Sequence, residues 1–102
     1  MDLEKLMKEA QKMQESLNEI DNELAETLYE GSSGGEEGVI VKVNGRNELQ
    51  EVLISDDLIN LEDKEMLQDM IVVAANDAVS KASKDREDRL GAAAAGVSIP
   101  GL

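Results

Sequence analysis

Residues 63–82, DKEMLQDMIVVAANDAVSKA, decide the fold of this chain because no other long segment is as apolar. Their apolar side chains recur at separations of three, four and seven, which places them on one face of a helix. This face consists of Met66, Leu67, Met70, Ile71, Ala74, Ala75, Ala78, Val79 and Ala82. Val72 and Val73 widen it, so the pattern predicts a helix with protein on more than one side, and in so short a chain another subunit would supply the second cover. Asn60 is the predicted cap at its start and Gly91 the predicted stop.

The N-terminal segment carries a narrower apolar stripe. Its residues alternate at separations of three and four, as in a heptad repeat, and they are Leu3, Leu6, Ala10, Met13, Leu17, Ile20 and Leu24. This spacing predicts a helix of about 24 residues, roughly 36 Å long. Two arrangements fit the stripe: a helix that lies on its own domain, and a helix that pairs with or projects beside a partner subunit.

Lys5, Lys8 and Lys12 are the basic residues of this predicted helix. Their spacing places them along one side of the helix, away from the apolar stripe. Two interpretations remain open: the lysines bind an anion, or they form a solvated face on which Glu4 and Glu9 neutralise Lys8 and Lys12. Acidic residues dominate the second half of the helix, so only its start is basic.

A short strand is predicted over residues 27–29, Thr-Leu-Tyr. It is followed by GSSGGEEG, residues 31–38, whose glycines and serines predict a flexible loop. The loop lacks the Gly-Lys-Ser/Thr ending of a phosphate-binding loop, so no nucleotide site is expected there.

A β-hairpin is predicted over residues 39–54. Val39 to Asn44 alternates apolar and polar side chains, and Leu49 to Ile54 forms the returning strand. Asn44-Gly45 is a strong hairpin turn signal. A two-residue turn would place Val41 opposite Glu48, which is a poor match, so a longer loop through Asn47 or a bulge is expected.

Neither histidine nor cysteine occurs in the sequence, which removes the commonest general base, thiolate metal ligands and disulfides. Asp56 and Asp57 follow a strand, where adjacent carboxylates are typical of a turn that leads into a helix. Asn76 and Asp77 interrupt the apolar helix and are expected to form hydrogen bonds where two helices or subunits meet. The sequence therefore predicts no enzyme, no cofactor and no metal site.

A second group of cations follows the apolar helix: Lys81, Lys84, Arg86 and Arg89. Three acidic residues lie between them, so the segment 81–89 is close to neutral. The segment 91–102, GAAAAGVSIPGL, is uncharged and rich in glycine, and it is expected to be a loosely ordered tail.

The whole chain of 102 residues has the size of one domain, 1–102, and carries a net charge of -13. Its N-terminus lacks the apolar core of a signal peptide, and no apolar run is long enough for a membrane span, so a cytoplasmic protein is expected. The net charge argues against a polyanion partner. Because salt screens charges beyond about 8 Å, the nearly neutral segments 1–12 and 81–89 are the places where such a partner is least repelled.

Several segments resemble the YbaB/EbfC family of bacterial nucleoid-associated proteins. In the apolar helix the resemblance rests on an EMLEDL run followed by NDA, and the matching residues are Glu65, Met66, Leu67, Asp69, Asn76, Asp77 and Ala78, with Gln68 in place of an acidic residue. In the first helix it rests on Lys8, Ala10, Gln11, Met13 and Gln14. The hairpin resembles the family's Gly-x-V-x-V-x-NG strand and its Ile-Asp pair, although Ser55 intervenes between Ile54 and Asp56 here. The ending Ile99-Pro100-Gly101 resembles the family's C-terminus.

The resemblance implies an α+β fold with a long N-terminal helix, a three-stranded antiparallel sheet and a long C-terminal helix. It also implies a homodimer from which the first helices project, double-stranded DNA as the partner, and a place in the bacterial nucleoid. The expected function is backbone binding of duplex DNA with little sequence specificity, without a membrane or small-molecule substrate. The residues expected to bind DNA are Lys5, Lys8, Lys12, Lys81, Lys84, Arg86 and Arg89. The alternative is an acidic dimeric protein-interaction module of the same fold with weak or no DNA binding.

Overall fold

The computed structural model describes residues 2–59 and 62–97. Two long helices flank a three-stranded antiparallel sheet, so the predicted α+β class is confirmed. The elements in chain order are α1 (Leu3–Glu26), β1 (Leu28–Ser33), a 3₁₀ turn (Gly35–Glu37), β2 (Val39–Asn44), β3 (Leu49–Ile54), the short α2 (Asp56–Ile59) and α3 (Lys64–Val97). No helix among the described residues has the length and apolarity needed to cross a membrane.

The sheet has the order β1-β2-β3, and its hairpin contains the irregularity that the sequence predicts. Val41 pairs with Val52, but Val43 pairs with Leu49, because the register shifts between Lys42 and Val43. The turn passes through Asn47, which has a φ of 62°. Asparagine tolerates this left-handed conformation better than most residues do. The longer, bulged connection is therefore confirmed.

The core lies between β2 and α3. Val39, Val41 and Val43 are fully buried on one face of the sheet, and alanines cover them from α3. These alanines are Ala74, Ala78 and Ala82. Small side chains at helical spacing let the helix backbone lie close to the sheet. The larger apolar residues of α3 that the sequence pattern emphasises, such as Leu67 and Ile71, are only partly buried around this alanine stripe.

Close packing of α3 also changes the predicted loop at residues 31–38. Gly31 to Ser33 continue β1 and pair with β2, with Gly31 opposite Val41. A Cβ atom on Gly31 would lie 2.1 Å from the carbonyl oxygen of Ala74 and 2.2 Å from the nitrogen of Ala78. Only glycine fits between the strand and the helix backbone at this point. The flexible-loop prediction is wrong for these three residues, because their glycine serves a contact with α3 that is distant in sequence.

Both predicted ends of α3 differ from the observed ones. Asp63 caps the start, since its Oδ1 accepts from the backbone nitrogen of Met66 at 3.0 Å; Asn60, the predicted cap, lies outside the described residues. Gly91 does not stop the helix, which continues to Val97. The physical reason is that a helical glycine costs only about 1 kcal/mol and the alanines that follow are the best helix formers. Residues 98–102 lie outside the described residues, so the loosely ordered tail stays a prediction.

Helix α1 projects from the body of the molecule, whose extents are 70 × 22 × 18 Å. Residues 2–12 are exposed, including Leu3 of the apolar stripe with 69% of its surface accessible. Partial burial begins at Met13, and Leu24 is fully buried. The sequence left open whether this helix lies on its own domain or beside a partner subunit. In the structure, α1 does not lie on its own domain over its whole length. Only its C-terminal part is packed.

Candidate nucleic-acid interface

The projecting end of α1 carries Lys5, Lys8 and Lys12, which are exposed. The helix begins at Leu3 because the Asp2 carboxylate caps it, accepting from the backbone nitrogens of Glu4 and Lys5 at 3.1 and 3.4 Å. The positive end of the helix dipole lies at the same end as the lysines, but the Asp2 carboxylate already interacts with it, so the lysines are the groups that favour a further anion.

None of these three lysines forms an ion pair within residues 2–59 and 62–97. The ion pairs of Glu4 with Lys8 and of Glu9 with Lys12, which one interpretation of the sequence requires, are thus not formed among the described residues. The Cα atoms of Lys5 and Lys12 are separated by about 10 Å along the helix axis. One DNA strand presents a phosphate about every 3.4 Å of its axis. The three ammonium groups therefore match a short run of the sugar-phosphate backbone in length.

The second predicted group of cations is engaged within the chain. Lys81 donates to the carbonyl oxygen of Glu30 at 2.9 Å and lies 3.3 Å from Asp77. Lys84 pairs with Asp88 at 3.6 Å, and its side chain is largely exposed. The structure therefore does not bring these residues to the projecting end of α1, and their contact with DNA stays a prediction.

The two arginines of this group lie at the base of α1. Arg86 donates to the carbonyl oxygen of Gly45 at 3.4 Å, in the turn between β2 and β3. Arg89 pairs with Asp85 on its own helix at 3.1 Å and with Glu23 of α1 at 3.7 Å. Both guanidinium groups therefore join elements of the fold, and any phosphate would compete with these partners.

A further cation at the base of α1 escaped the sequence analysis. Arg46 lies in the β2–β3 turn and donates to Asp21 of α1 at 2.7 Å. This hydrogen bond, and then the positive charge of Arg46, hold the pKa of the Asp21 carboxyl below its ordinary value. The partners are 25 residues apart, so no local signal in the sequence could have identified the pair.

Asp77 has a different role from the one predicted. Its Oδ2 accepts from the backbone nitrogen of Ser32 at 3.2 Å, so it joins α3 to the end of β1 and not one helix to another. The Ser32 hydrogen bond, and then that of Lys81, lower the pKa of Asp77. Because Ser32 belongs to the part of β1 that was predicted as loop, its partner could not be anticipated. Asn76, the neighbouring residue, is exposed.

Sites of other chemistry are not formed by the described residues. They contain no group of three or more acidic side chains that could hold a metal ion. One open hollow of about 310 Å³ lies at the start of α3, between Ser33 and the helix residues Met66 and Met70. Its polar lining is mainly carboxylates, which repel phosphate groups. The exposed lysines of α1 are thus the best candidate for binding a polyanion.

Comparison with known proteins identifies the family of the chain. The model of the YbaB/EbfC DNA-binding family matches residues 1–97. The chain belongs to this family. The YbaB/EbfC proteins are DNA-binding and nucleoid-associated, and they are not a class of enzymes.

Several relatives of the YbaB/EbfC family cover most of this chain. A nucleoid-associated protein of Chloroflexus aurantiacus is 42% identical over 90 residues, which are 88% of this chain and 89% of the relative. One from Legionella pneumophila is 44% identical over 96 residues, 93% of this chain and 83% of the relative. One from Desulfotalea psychrophila is 39% identical over 103 residues and covers 100% of this chain and 95% of the relative.

A crystal structure of an uncharacterized protein from Helicobacter pylori has the same fold. It superposes with a TM-score of 0.75 at 30% identity, covering 86% of this chain and 91% of the other. The helices and the three-stranded sheet of this YbaB/EbfC chain thus have an experimentally determined counterpart.

Proposed function

We propose that this protein binds duplex DNA as a homodimer, through the sugar-phosphate backbone, with the projecting ends of its two α1 helices. The observation that carries this proposal is that Lys5, Lys8 and Lys12 are exposed and form no ion pair within residues 2–59 and 62–97, in a chain of net charge -13. Membership of a DNA-binding family supports DNA as the polyanion. As a nucleoid-associated protein, it would act in the bacterial nucleoid.

Weak sequence preference follows from the type of side chain that is offered. Lysines neutralise phosphates, and phosphate contacts position a protein without reading bases. The single aromatic residue, Tyr29, is partly buried and donates to Asp85, so it offers no surface on which an unpaired base could stack. The engagement of Tyr29 within the fold favours duplex over single-stranded nucleic acid.

A homodimer is supported by an apolar face that the single chain leaves uncovered. Leu49 and Val52 of β3 pair with Val43 and Val41, and directly paired residues of an antiparallel sheet point to the same face. The β2 valines are buried beneath α3, whereas Leu49 and Val52 are 58% and 37% exposed. The apolar face of the sheet therefore extends beyond the helix that covers it.

Helix α3 extends the same uncovered face. Val72, which is 57% exposed, precedes Arg86 by about four helical turns and thus lies on the same side of α3. Arg86 reaches Gly45 in the turn that precedes β3. We call the surface of Leu49, Val52 and Val72 the β3 face. Its burial against a second copy would also cover the free edge of β3.

The second candidate function is an acidic dimeric protein-interaction module of the same fold. The observation that favours it is the charge: 23 acidic residues against 10 basic ones, which repel DNA from most of the surface. If the chain does bind DNA, this repulsion would confine the contact to the ends of α1, and the affinity would fall steeply with salt.

A mobility shift with random duplex DNA at low and physiological salt distinguishes the two functions. The variant Lys5→Gln/Lys8→Gln/Lys12→Gln should lose binding and keep the fold, because none of the three side chains is buried. Lys64→Gln is the control. Lys64 lies at the start of α3, is exposed and forms no ion pair among the described residues, so this variant should bind DNA like the parent.

Binding of the triple variant at the parent's affinity would show that these lysines are not the DNA site. A parent that does not bind even at low salt would favour the interaction module.

A further inference from the structure

The base of α1 is attached to the β2–β3 turn at two points. Leu24 is fully buried, and its carbonyl oxygen accepts from the backbone nitrogen of Gly45 at 2.7 Å. A Cβ atom on Gly45 would lie 2.6 Å from the Cβ of Leu24, so the turn touches the helix closely. Nearer to the projecting end, Asp21 accepts from Arg46 of the same turn at 2.7 Å.

A third element completes the junction. Glu23 of α1 pairs with Arg89 of α3 at 3.7 Å. Arg86 of α3 donates to the carbonyl oxygen of Gly45, so the turn is itself tied to α3. The three elements therefore form a closed triangle of contacts: α1 with the turn, the turn with α3, and α3 with α1.

The Arg46–Asp21 and Arg89–Glu23 ion pairs contact α1 on different sides. Asp21 and Glu23 are two residues apart, so their side chains point about 200° apart around the helix. Arg46 reaches the first from the hairpin turn, and Arg89 reaches the second from α3. With Leu24 as a fixed point, two lateral contacts on opposite sides restrain the direction in which the helix leaves the body.

We propose that Arg46 and Arg89, through Asp21 and Glu23, are positioning residues that set the direction of α1 and thereby place its lysines on DNA. This inference rests on the proposed function. Lys8 lies about 20 Å from Asp21 along the helix. A rotation of about 10° at the base would move it by about 3 Å, which is close to the axial distance between successive phosphates of one strand. A small change at the base is therefore enough to shift the lysines out of register with the backbone.

The variant Asp21→Asn separates positioning from simple electrostatics. It removes a negative charge, so charge alone predicts tighter DNA binding. Loss of the Arg46 contact instead predicts weaker binding, by about tenfold at low salt if the dimer loses one phosphate contact. Arg46→Gln breaks the same pair from the other side and should also weaken binding. The matched control is Glu19→Gln. Glu19 lies on the same helix and forms no ion pair among the described residues, so the loss of its carboxylate should strengthen DNA binding.

Exchange of the two charges provides a second test. Asp21→Arg combined with Arg46→Asp keeps the net charge and allows the ion pair to form again, so affinity should return to within about twofold of the parent. A half-exposed ion pair contributes little to folding stability, so the melting temperature should hardly change in any of these variants. A loss of affinity would then report the direction of the helix and not its unfolding.

Helix direction can be measured without DNA. The chain has no cysteine, so Gln11→Cys and Ser80→Cys attach spin labels to exposed positions on α1 and on α3. Labelled chains diluted into unlabelled protein report the distance within one chain. This distance should be narrowly distributed in the parent, broadened by Asp21→Asn and narrow again after the charge exchange.

An unchanged distance distribution in Asp21→Asn, or DNA binding tighter than the parent's, would overturn the positioning role. Failure of the proposed function has a different signature: the triple lysine variant binds DNA normally, whatever the distance measurement shows.

Discussion

Tyr29 and Asp85 illustrate how single residues join elements that are far apart in sequence. The Tyr29 hydroxyl donates to the Asp85 carboxylate across 56 positions, and Asp85 also forms an ion pair with Arg89. The contact therefore links the first strand to the part of α3 that reaches the base of α1. Burial, and then the hydrogen bond to Asp85, raise the pKa of the Tyr29 hydroxyl.

The raised pKa of Tyr29 predicts a measurable pH dependence. An ordinary tyrosine has a pKa of about 10. A raised native pKa contributes stability that is fully present below this value and is lost as the pH rises through the native pKa. Because Tyr29 is the only aromatic residue, the tyrosinate absorbance of the folded protein should appear above the ordinary pKa.

Asp85→Asn serves as the control for this titration. It removes the charge next to the phenol and should move the pKa of Tyr29 back towards its ordinary value, while burial still raises this pKa and the charge of Arg89 lowers it. Identical titration curves for the parent and this variant would show that Asp85 does not influence Tyr29.

At the scale of elements, α3 determines how the sheet is covered. Its buried face consists of alanines, so the helix backbone approaches β1 closely enough that Gly31 has no space for a side chain. Asp77 then reaches Ser32, and Lys81 reaches the carbonyl oxygen of Glu30. Packing of α3 against β2 forms the core, and its close approach to β1 allows the polar contacts along the border.

Gly31→Ala should destabilise the protein by about 3 kcal/mol, because the added methyl group meets helix backbone, which cannot rotate away. Gly91→Ala, on α3, is the matched control. A Cβ atom there would have no neighbour within 4 Å, so alanine should stabilise α3 by about 0.5 to 1 kcal/mol. Denaturant unfolding of both variants measures these effects. Equal stabilities would mean that α3 does not lie as close to β1 as described.

At the scale of the whole molecule, charge and apolar surface are separated. The lysines lie at the projecting end of α1, whereas the β3 face lies on the body of the molecule. A dimer formed through the β3 face would leave both α1 helices free to contact the same duplex. The acidic residues between these two regions would repel DNA from the rest of the surface.

The β3 face predicts a specific effect of Val72→Asp, which would place a carboxylate in the proposed dimer interface. This variant should sediment as a monomer at micromolar concentration, where the parent should be a dimer. Val73→Asp is the control: Val73 is also exposed, but it lines the hollow beside Ser33 on the other border of α3. If Val73→Asp dissociates the dimer and Val72→Asp does not, the interface lies on the border of α3 that faces Ser33. A parent protein that sediments as a monomer would contradict the proposed dimer.

Two α1 helices with three lysines each can neutralise six phosphates, which predicts a slope of log affinity against log salt of about -5. Binding isotherms over a range of salt concentrations measure it. Replacing Glu15, Glu19 and Glu26 with glutamine should strengthen binding, because these acids repel DNA from the same helix and form no ion pair among the described residues. Glu23 is left unchanged because it contacts Arg89. A slope near zero would contradict phosphate binding by lysines.

The sequence by itself determined the order and type of the main elements. Heptad spacing predicted α1, and alternation predicted β2. The Asn44-Gly45 turn signal predicted β3 as the returning strand, and the mismatch of Val41 with Glu48 predicted a longer loop through Asn47 or a bulge. These signals are local, because helical and strand periods are properties of neighbouring residues. The exposed lysines of α1 also followed from their spacing alone.

The tertiary structure decided the features that depend on distant contacts. It made Gly31 a strand residue by packing α3 against it. It also engaged Arg86 and Arg89 in the junction at the base of α1, whereas spacing alone had grouped them with the lysines. The physical reason is that an ion pair or a backbone clearance depends on which surfaces meet after folding, and no pattern of neighbouring residues contains that information.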